Sequence, residues 1–440
     1  MEKTKKIGLI SLGCDKNRVD AEKALALIGD RAVITNDIDE ANIVIINSCA
    51  FLEASRKESI DAVMEVNELR RNGKLEKIVL SGCLAQKFIG ELFDDLTEVD
   101  VFLGFLDYDL LFEALDRAYG GERVNYVNKK KVFSAKKRIL TTPCHYYYLK
   151  IADGCNNKCT YCLIPKIRGK YKSEKIEDLV GEVKLLGEAK EVILVAQDVT
   201  RYGIDIYGKP MLVPLIRELS KLSEVEKIRI LYAYPDMISD ELIDEIASND
   251  KVIKYLDIPL QHASDRVLKL MNRKGTNQEY LVLIEKLRAK VPDIAIRSTF
   301  IAGFPGETEE DFKILKGFIK AAEFTNCGFF AYSREPDTAA YKLPNQIDEA
   351  VKAARVKKLY AVQRKISAAF LKSKVGTTVS VVTDGIDYDK QSFYGRAYFS
   401  APDIDGKIYF SSDGDIVQGE TYRVYIEKTD DYDAYGRVVE

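Results

Sequence analysis

Three cysteines near the middle of the chain, Cys155, Cys159 and Cys162, carry the most informative spacing in the sequence. The pattern Cys-x-x-x-Cys-x-x-Cys places three thiolates on one short loop, which suits an iron–sulfur cluster, normally held by four cysteines. A structural zinc site needs a fourth protein ligand, and no Cys or His follows closely downstream. A disulfide with one spare thiol is the plainer alternative, but disulfides are rare in the cytosol, where we expect this chain. We therefore expect a cluster with one iron left open.

A second set of cysteines lies in the first third of the chain. Cys14, Cys49 and Cys83 each follow a short apolar run, and helix-like segments separate the runs. This alternation predicts a βαβ unit with a parallel sheet, whose strands present their carboxyl ends at one edge. One cysteine at such a position is usually a small buried core residue. Three at the same position favour a second cluster, again with an open iron.

The central cysteine loop resembles that of the radical S-adenosylmethionine (SAM) superfamily, because Tyr161 stands directly before Cys162. The resemblance implies a [4Fe–4S] cluster whose open iron chelates SAM, and a (βα)6 partial TIM barrel. The sequence from 146 to 333 fits that expectation, since strand-like and helix-like runs alternate there six times. Active sites of parallel barrels gather at the carboxyl ends of the strands, and the cysteine loop follows the first predicted strand.

Polar or flexible residues also follow other strands of the predicted barrel. We take as cofactor-binding candidates Tyr161, Asp198, Gln261, Arg297, Gly303, Gly306 and Glu307. By resemblance, the Gly-x-Pro-Gly-Glu run at 303–307 helps to bind the methionyl end of SAM. The alternative for Glu307 is a purely structural role at the start of a helix, where a carboxylate favours the dipole. We expect His262 to be structural, and we assign no catalytic side chain beyond the cluster ligands.

The last seventh of the chain changes to the period-two alternation of short strands and predicts a five-stranded OB-like barrel. Residues 373–440 carry seven Lys and Arg against thirteen Asp and Glu, a net charge of −6. Such a field repels nucleic acid and attracts a basic protein. We expect acids such as Asp384, Asp387, Asp389 and Asp403 to steer that partner. Solubility alone is the alternative explanation of this charge.

The segment 11–22 resembles the opening signature of the radical SAM methylthiotransferases. Its Leu-Gly-Cys-x-Lys-Asn form, from Leu12 to Asn17, is similar to the branch that modifies ribosomal proteins, whereas the tRNA branch typically has Gly-Cys-Gln-Met-Asn. The chain departs from its own branch at Asp15, where proline is usual, and at Arg18 and Ala21. The resemblance covers the whole chain in the family's domain order. It implies a methylthiotransferase N-terminal domain at 1–125, a linker at 126–140, a radical SAM core at 141–371 and a TRAM-like β domain at 372–440.

The function implied by this resemblance is methylthiolation of the β-carbon of an aspartate in small-subunit ribosomal protein S-twelve. The cluster on Cys155, Cys159 and Cys162 would reduce SAM to a 5′-deoxyadenosyl radical that removes the hydrogen. The second [4Fe–4S] cluster, on the strand-end cysteines, would carry the sulfur that another SAM methylates. An unactivated C–H bond is beyond ordinary general bases, so the cofactors must supply the chemistry.

Two other functions compete with this one. The same chemistry could act on the modified adenosine beside the anticodon of tRNA, but the acidic tail argues against tRNA as a substrate. A non-enzymatic iron–sulfur carrier would not need the Gly-x-Pro-Gly-Glu loop. We expect the basic ribosomal protein and an electron donor such as flavodoxin or ferredoxin as partners. We expect no membrane association, because no apolar stretch approaches the length of a span.

Overall fold

The computed structural model describes residues 5–129 and 137–439, with the side chain of Asn72 left out. The predicted linker therefore falls partly outside the described residues. Backbone contacts divide the chain into two compact units. The first unit comprises Met1–Thr141, Asp153–Asn156 and Leu163–Tyr171, and the second comprises Thr142–Ala152, Asn157–Cys162 and Lys172–Glu440.

The first unit is built on a parallel sheet with the strand order β2-β1-β3-β4-β5-β6 among the described residues. The strands are β1 (Lys6–Ser11), β2 (Val33–Thr35), β3 (Ile43–Ser48), β4 (Lys77–Gly82), β5 (Val101–Leu103) and β6 (Val124–Tyr126). The helices between them are α1 (Asp15–Gly29), α2 (Glu53–Asn72), α3 (Cys83–Asp95) and α4 (Leu111–Tyr119).

Two apolar cores cover the two faces of this sheet. Along β3, Val44 and Ile46 pack into one core, whereas Ile43 and Ile45 pack into the other. This alternation is the period of two that a strand imposes, and burial on both faces explains why the sequence here is continuously apolar. The helices therefore lie on both sides of the sheet.

The second unit contains the partial barrel. Its sheet has the order β14-β13-β12-β11-β10-β7, so the main strands follow one another as they do in sequence. The strands of this region are β7 (Tyr146–Lys150), β8 (Ala152–Asp153), β9 (Lys172–Ser173), β10 (Ala189–Val195), β11 (Val225–Ile230), β12 (Val252–Asp257), β13 (Ala295–Ala302) and β14 (Asn326–Ala331). The helices are α5 (Ile164–Ile167), α6 (Ile176–Leu186), α7 (Ile204–Tyr207), α8 (Leu212–Ser220), α9 (Asp240–Ser248), α10 (Asp265–Leu270), α11 (Asn277–Lys290), α12 (Glu309–Ala322) and α13 (Glu349–Lys372). Of these helices, α5 belongs to the first unit.

The C-terminal strands close into a small barrel with the order β15-β16-β17-β19-β18. They are β15 (Thr378–Asp387), β16 (Ser392–Arg396), β17 (Ile408–Ser411), β18 (Thr421–Thr429) and β19 (Ala434–Val438). The predicted fold class, a parallel-sheet domain, a partial (βα)6 barrel and an OB-like β barrel, is confirmed. Among the described helices, none has the length and apolar character needed to cross a membrane.

Candidate metal centres and cofactor site

The strand-end cysteines of the first unit follow three strands that are neighbours in the sheet. Cys14 follows β1, Cys49 follows β3 and Cys83 follows β4, and β3 pairs in parallel with both of the others. Burial raises the pKa of the Cys83 thiol to about 11, and the proximity of Cys14 and Cys49 adds to that rise. The three thiols, far apart in sequence, therefore lie close enough to interact electrostatically, as predicted from the alternation of strands and helices.

Glycine precedes a cysteine in both sets, and its backbone conformation explains why. Gly13 has φ +91°, and a Cβ built there would lie 2.8 Å from Cys49 Sγ. Gly82 has φ +90°, and its Cβ would lie 2.4 Å from the carbonyl oxygen of Ser48. Only glycine adopts this left-handed conformation without strain and allows so close an approach. Gly13 is part of the Leu-Gly-Cys-x-Lys-Asn signature, but its steric role was not predicted from the sequence.

Side chains near the strand-end cysteines form hydrogen bonds that connect the ends of the strands. The Asn17 amide nitrogen donates to the carbonyl of Leu12 at 2.7 Å. Asn47 Nδ2 donates in turn to the carbonyl of Asn17 at 2.8 Å. Arg168 Nη2 lies 3.1 Å from Asn17 Oδ1 and 3.4 Å from Cys83 Sγ. Sequence reasoning missed Arg168, which stands beyond the central cysteine motif.

The central cysteine loop is shared between the two units. In the first unit, Cys155 N donates to the carbonyl of Gly169 at 3.1 Å. In the second unit, Cys162 N donates to the carbonyl of Cys159 at 3.1 Å, and Cys159 Sγ lies 3.7 Å from the Tyr234 hydroxyl. Backbone hydrogen bonds and the hydroxyl of a tyrosine therefore hold this loop.

A buried arginine also lies beside the central loop. Arg273 Nη1 is 3.9 Å from Cys159 Sγ and 3.4 Å from the hydroxyl oxygen of Tyr161. Its guanidinium stacks 4.1 Å from the centre of the Tyr234 ring. Tyr161 packs against a small apolar cluster that includes Phe304 of the Gly-x-Pro-Gly-Glu run. The predicted contact residue Tyr161 thus connects the cysteine loop to the loop that follows β13.

The chemistry of the two donor sets fits iron–sulfur clusters. Each set offers three sulfur donors, and sulfur is the usual ligand of iron–sulfur clusters. Within residues 5–129 and 137–439, no group of three Cys, His, Asp or Glu side chains is arranged to hold one metal ion.

Glu307 organises the loop between β13 and α12 from inside. Its Oε2 accepts hydrogen bonds from the backbone nitrogen of Gly303 at 2.8 Å and of Phe304 at 3.3 Å. Its Oε1 accepts from Arg355 Nη1 at 2.8 Å, and its Oε2 lies 3.4 Å from His262 Nε2. The carboxylate is fully buried, so its contacts are with the protein. Gly303 has φ +76°, and a Cβ built there would lie 2.3 Å from Lys352 Cγ, so only glycine allows helix α13 to pack this closely against the loop.

Asp198 and Gln261 lie at the carboxyl ends of β10 and β12, as predicted. Asp198 Oδ2 accepts from Asn157 Nδ2 at 3.1 Å, and Asn157 belongs to the cysteine loop. Burial raises the pKa of Asp198, although hydrogen bonds from Thr200 and the charge of Arg201 oppose that rise. Gln261 has φ +72°, an uncommon conformation for a residue that is not glycine and one that is concentrated at functional sites. Whether either side chain contacts SAM stays a prediction.

Arg297 is placed differently from the other candidates. It is the third residue of β13, and its Nη1 lies 2.6 Å from Asp405 Oδ1 of the C-terminal barrel. Asp405 also accepts from the Tyr255 hydroxyl at 2.7 Å. Because the side chain is committed to a buried pair near the start of its strand, we leave it out of the proposed cofactor site.

Comparison with known proteins agrees with this geometry. Residues 149–319 match the radical SAM superfamily, residues 375–439 the TRAM domain, and residues 6–104 the uncharacterized protein family UPF0004. The chain is 45% identical to the ribosomal protein uS12 methylthiotransferase RimO of Lachnoclostridium phytofermentans, covering 98% of this chain and 99% of that protein. It is 47% identical to the RimO of Clostridium kluyveri, with 98% of each chain covered. The chain belongs to the uS12 methylthiotransferase family.

A solved structure supports the fold. The radical S-adenosylmethionine methyltransferase TsrM from Kitasatospora setae, with cobalamin and a [4Fe–4S] cluster bound, is similar with a TM-score of 0.56. It is 13% identical, and the similarity covers 77% of each chain. At this identity the likeness concerns the fold alone, whereas the full-length relatives carry the assignment to the uS12 family.

Proposed function

We propose that this protein is the enzyme that methylthiolates the β-carbon of an aspartate in ribosomal protein uS12. The observation that carries this proposal is the full-length identity of about 45% to proteins of that name. The two sets of three thiols support it. A passive iron–sulfur carrier would need neither the partial barrel nor the ordered loop at its carboxyl end.

The first proposed site is the [4Fe–4S] centre on Cys155, Cys159 and Cys162, which would also bind SAM. When bound, these cofactors supply a radical able to remove hydrogen from an unactivated carbon. The protein's part is to hold and orient them. Asn157 and Asp198 fix the cysteine loop, and Gly303, Gly306 and Glu307 shape the loop proposed to receive SAM. Tyr161 and Gln261 complete the proposed cofactor contacts.

The second proposed site is an auxiliary [4Fe–4S] centre on Cys14, Cys49 and Cys83. When bound, it supplies the sulfur of the methylthio group. Gly13 and Gly82 allow the strand ends to approach, and the Asn17 amide fixes the backbone between them. This part of the protein positions three sulfur ligands and leaves room for one open iron.

The proposed substrate-docking surface is the acidic C-terminal barrel. Several basic side chains of this barrel contact neighbouring aromatic or acidic side chains. Lys390 Nζ lies 3.6 Å from the centre of the Tyr409 ring, and Lys407 Nζ lies 4.2 Å from that of Tyr394. Arg396 is buried in ion pairs. The thirteen acids of residues 373–440 still outnumber the seven bases, and a net negative field favours a basic ribosomal protein over tRNA.

One of the predicted steering acids has to be reassigned. The side chain of Asp384 is 12% exposed, 2.8 Å from His145 Nε2 and 2.8 Å from Arg396 Nε. It stabilises the fold and cannot steer a partner. Asp389 and Asp403 are exposed and Asp387 is half-buried. We also propose a cytoplasmic location, where uS12 is assembled, and a flavodoxin or ferredoxin as the electron donor.

The experiment is mass spectrometry of uS12 after incubation with the anaerobically reconstituted enzyme, SAM and reductant. The wild type should add a methylthio group to one aspartate. Replacing Cys155, Cys159 and Cys162 by alanine should halve the iron and abolish SAM cleavage. Replacing Cys14, Cys49 and Cys83 should also halve the iron but should leave uncoupled SAM cleavage intact.

Matched controls come from the two remaining cysteines, Cys144 and Cys327. Their replacement by alanine should change neither the iron content nor the product. Methylthiolated tRNA with unmodified uS12 would instead support the tRNA alternative. Unchanged iron in either triple variant would refute the ligand assignment for that site.

A further inference from the structure

Arg168 is a buried cation in the first unit, with its side chain only 1% exposed. Its Nη1 lies 2.5 Å from Asp20 Oδ2 and 2.9 Å from Asp153 Oδ2. Its Nη2 lies 3.1 Å from Asn17 Oδ1 and 3.4 Å from Cys83 Sγ. A guanidinium nitrogen of this kind carries two hydrogens, so the two contacts of Nη2 use both, and one of them points at a sulfur atom.

The position of Arg168 is fixed by packing. It directly follows α5, and both Ile167 of that helix and Leu163 just before it enter the same apolar core as Cys83. The guanidinium also stacks 4.2 Å from the centre of the Phe105 ring. Planar contacts on one face and hydrogen bonds around the edge hold the guanidinium in one orientation.

The stability of the fold does not by itself explain why a positive charge is buried at this position. Burying a guanidinium costs several kcal/mol of desolvation before any pairing compensates for it. Asp20 and Asp153 provide that pairing through Nη1, but they do not explain why Nη2 faces a thiol. Neutral thiols are weak acceptors, whereas a thiolate that binds iron is negatively charged. A Cys83 sulfur that ligates iron would therefore accept the hydrogen bond from Arg168 Nη2 more strongly than an unligated thiol.

We propose that Arg168 is a positioning residue of the auxiliary site, donating from Nη2 to the Cys83 sulfur and balancing the charge of the three thiolates. The inference rests on the proposed cluster ligands. Hydrogen bonds to ligand sulfur and net local charge set the reduction potential of an iron–sulfur centre. A positive charge favours the reduced state, which carries one more electron. Loss of Arg168 should therefore make reduction harder, and loss of Asp20 should make it easier.

The test is a redox titration, followed by electron paramagnetic resonance, of the full-length protein reconstituted with iron and sulfide. Replacing Cys155, Cys159 and Cys162 by alanine leaves the auxiliary centre as the proposed source of the signal. On this background, Arg168→Gln should shift the midpoint potential to more negative values and Asp20→Asn to more positive values. The matched control is Arg70→Gln. Arg70 pairs with Asp100, which directly precedes β5, at the opposite edge of the same sheet, so this change should leave the midpoint unchanged.

The opposite signs separate an electrostatic role from a structural one. Equal potentials in Arg168→Gln and the parent, or shifts of the same sign in Arg168→Gln and Asp20→Asn, would overturn the proposal. If Arg168→Gln loses iron but Arg168→Lys retains it, the need for positive charge is supported. Loss of iron from both would show a structural role and overturn it. An iron-free parent would refute the auxiliary ligand assignment of the proposed function, and this inference with it.

Discussion

Glu191 of β10 and Arg396 of β16 form a buried ion pair, with Oε2 2.8 Å from Nη1 and side chains 4% and 5% exposed. Arg229 of β11 pairs with the other carboxylate oxygen. Since Glu191 and Arg229 lie on barrel strands and Arg396 on the C-terminal barrel, this charge cluster fixes one barrel against the other within the second unit. The C-terminal barrel is therefore joined to the partial barrel through buried charges.

Replacing Glu191 by glutamine should destabilise this junction. Two arginines would lose their buried counter-charge, which typically costs about 3–5 kcal/mol. The measurement is the free energy of unfolding, from chemical denaturation followed by circular dichroism. The matched control is Glu226→Gln, because Glu226 lies on β11 with its side chain about half exposed, and such surface pairs contribute little.

The same residue predicts a pH dependence. Burial acts to raise the pKa of Glu191, but the charges of Arg229 and Arg396 outweigh it and lower the pKa to about 2, from an ordinary value of 4.5. Because the folded-state pKa is depressed, the stabilisation is present above pH ~4.5 and is lost as the pH falls towards ~2. Wild type should lose about 3 kcal/mol more than Glu191→Gln over this window. Parallel stability–pH curves for the two proteins would contradict the assignment.

Gly13→Ala should damage the auxiliary site selectively. The new Cβ would lie 2.8 Å from Cys49 Sγ, on a backbone with φ +91°, so Cys49 must move or the strand end must distort. We expect iron to fall towards half, with uncoupled SAM cleavage retained. Gly90→Ala is the control, since nothing lies within 4 Å of its Cβ position. A normal iron content in Gly13→Ala would show that the strand ends tolerate the displacement, which would contradict this prediction.

Glu307→Gln should weaken SAM binding without removing iron. The amide cannot neutralise Arg355, and one of its ends no longer accepts the hydrogen bonds that shape the loop at Gly303. Equilibrium dialysis with SAM and iron analysis separate the two effects. Glu310→Gln is the control, because Glu310 is exposed on the same helix. Unchanged SAM affinity would leave Glu307 with a purely structural role.

The sequence predicted the parts of the site that local patterns encode. Cys14, Cys49 and Cys83 could be brought together because parallel strands end at one edge, and the central cysteines are adjacent in the chain. The contacts of Arg168 with Asp20 and of Arg297 with Asp405 could not be predicted, since 148 and 108 residues separate the partners along the chain. The partners of a long side chain depend on how separate helices and strands pack together, and hydrophobic periodicity along the sequence does not predict that packing.

The acidic surface provides the final prediction, on the choice of substrate. Changing the exposed acids Asp389, Asp403, Asp413 and Asp415 to lysine should slow association with uS12 roughly tenfold or more at low salt. The difference should shrink as salt rises, because exposed charges are screened beyond ~10 Å at 0.1 M. Stopped-flow or surface-based kinetics with purified uS12 measures the association rate constant. Uncoupled SAM cleavage should stay unchanged, since these residues lie on the C-terminal barrel.

The control reverses the same number of exposed acids on the helices α9 and α11 and the turn after α9. These are Glu241, Asp244, Asp250 and Glu285. Both variants change the net charge equally. If only the C-terminal variant associates more slowly, the C-terminal barrel steers uS12. If both slow equally, the effect reflects overall charge. Added lysines strengthen attraction to phosphates, so a tRNA enzyme would gain affinity for its substrate in the first variant. If the wild type binds tRNA in preference to uS12, the proposed protein substrate is wrong and tRNA is the substrate.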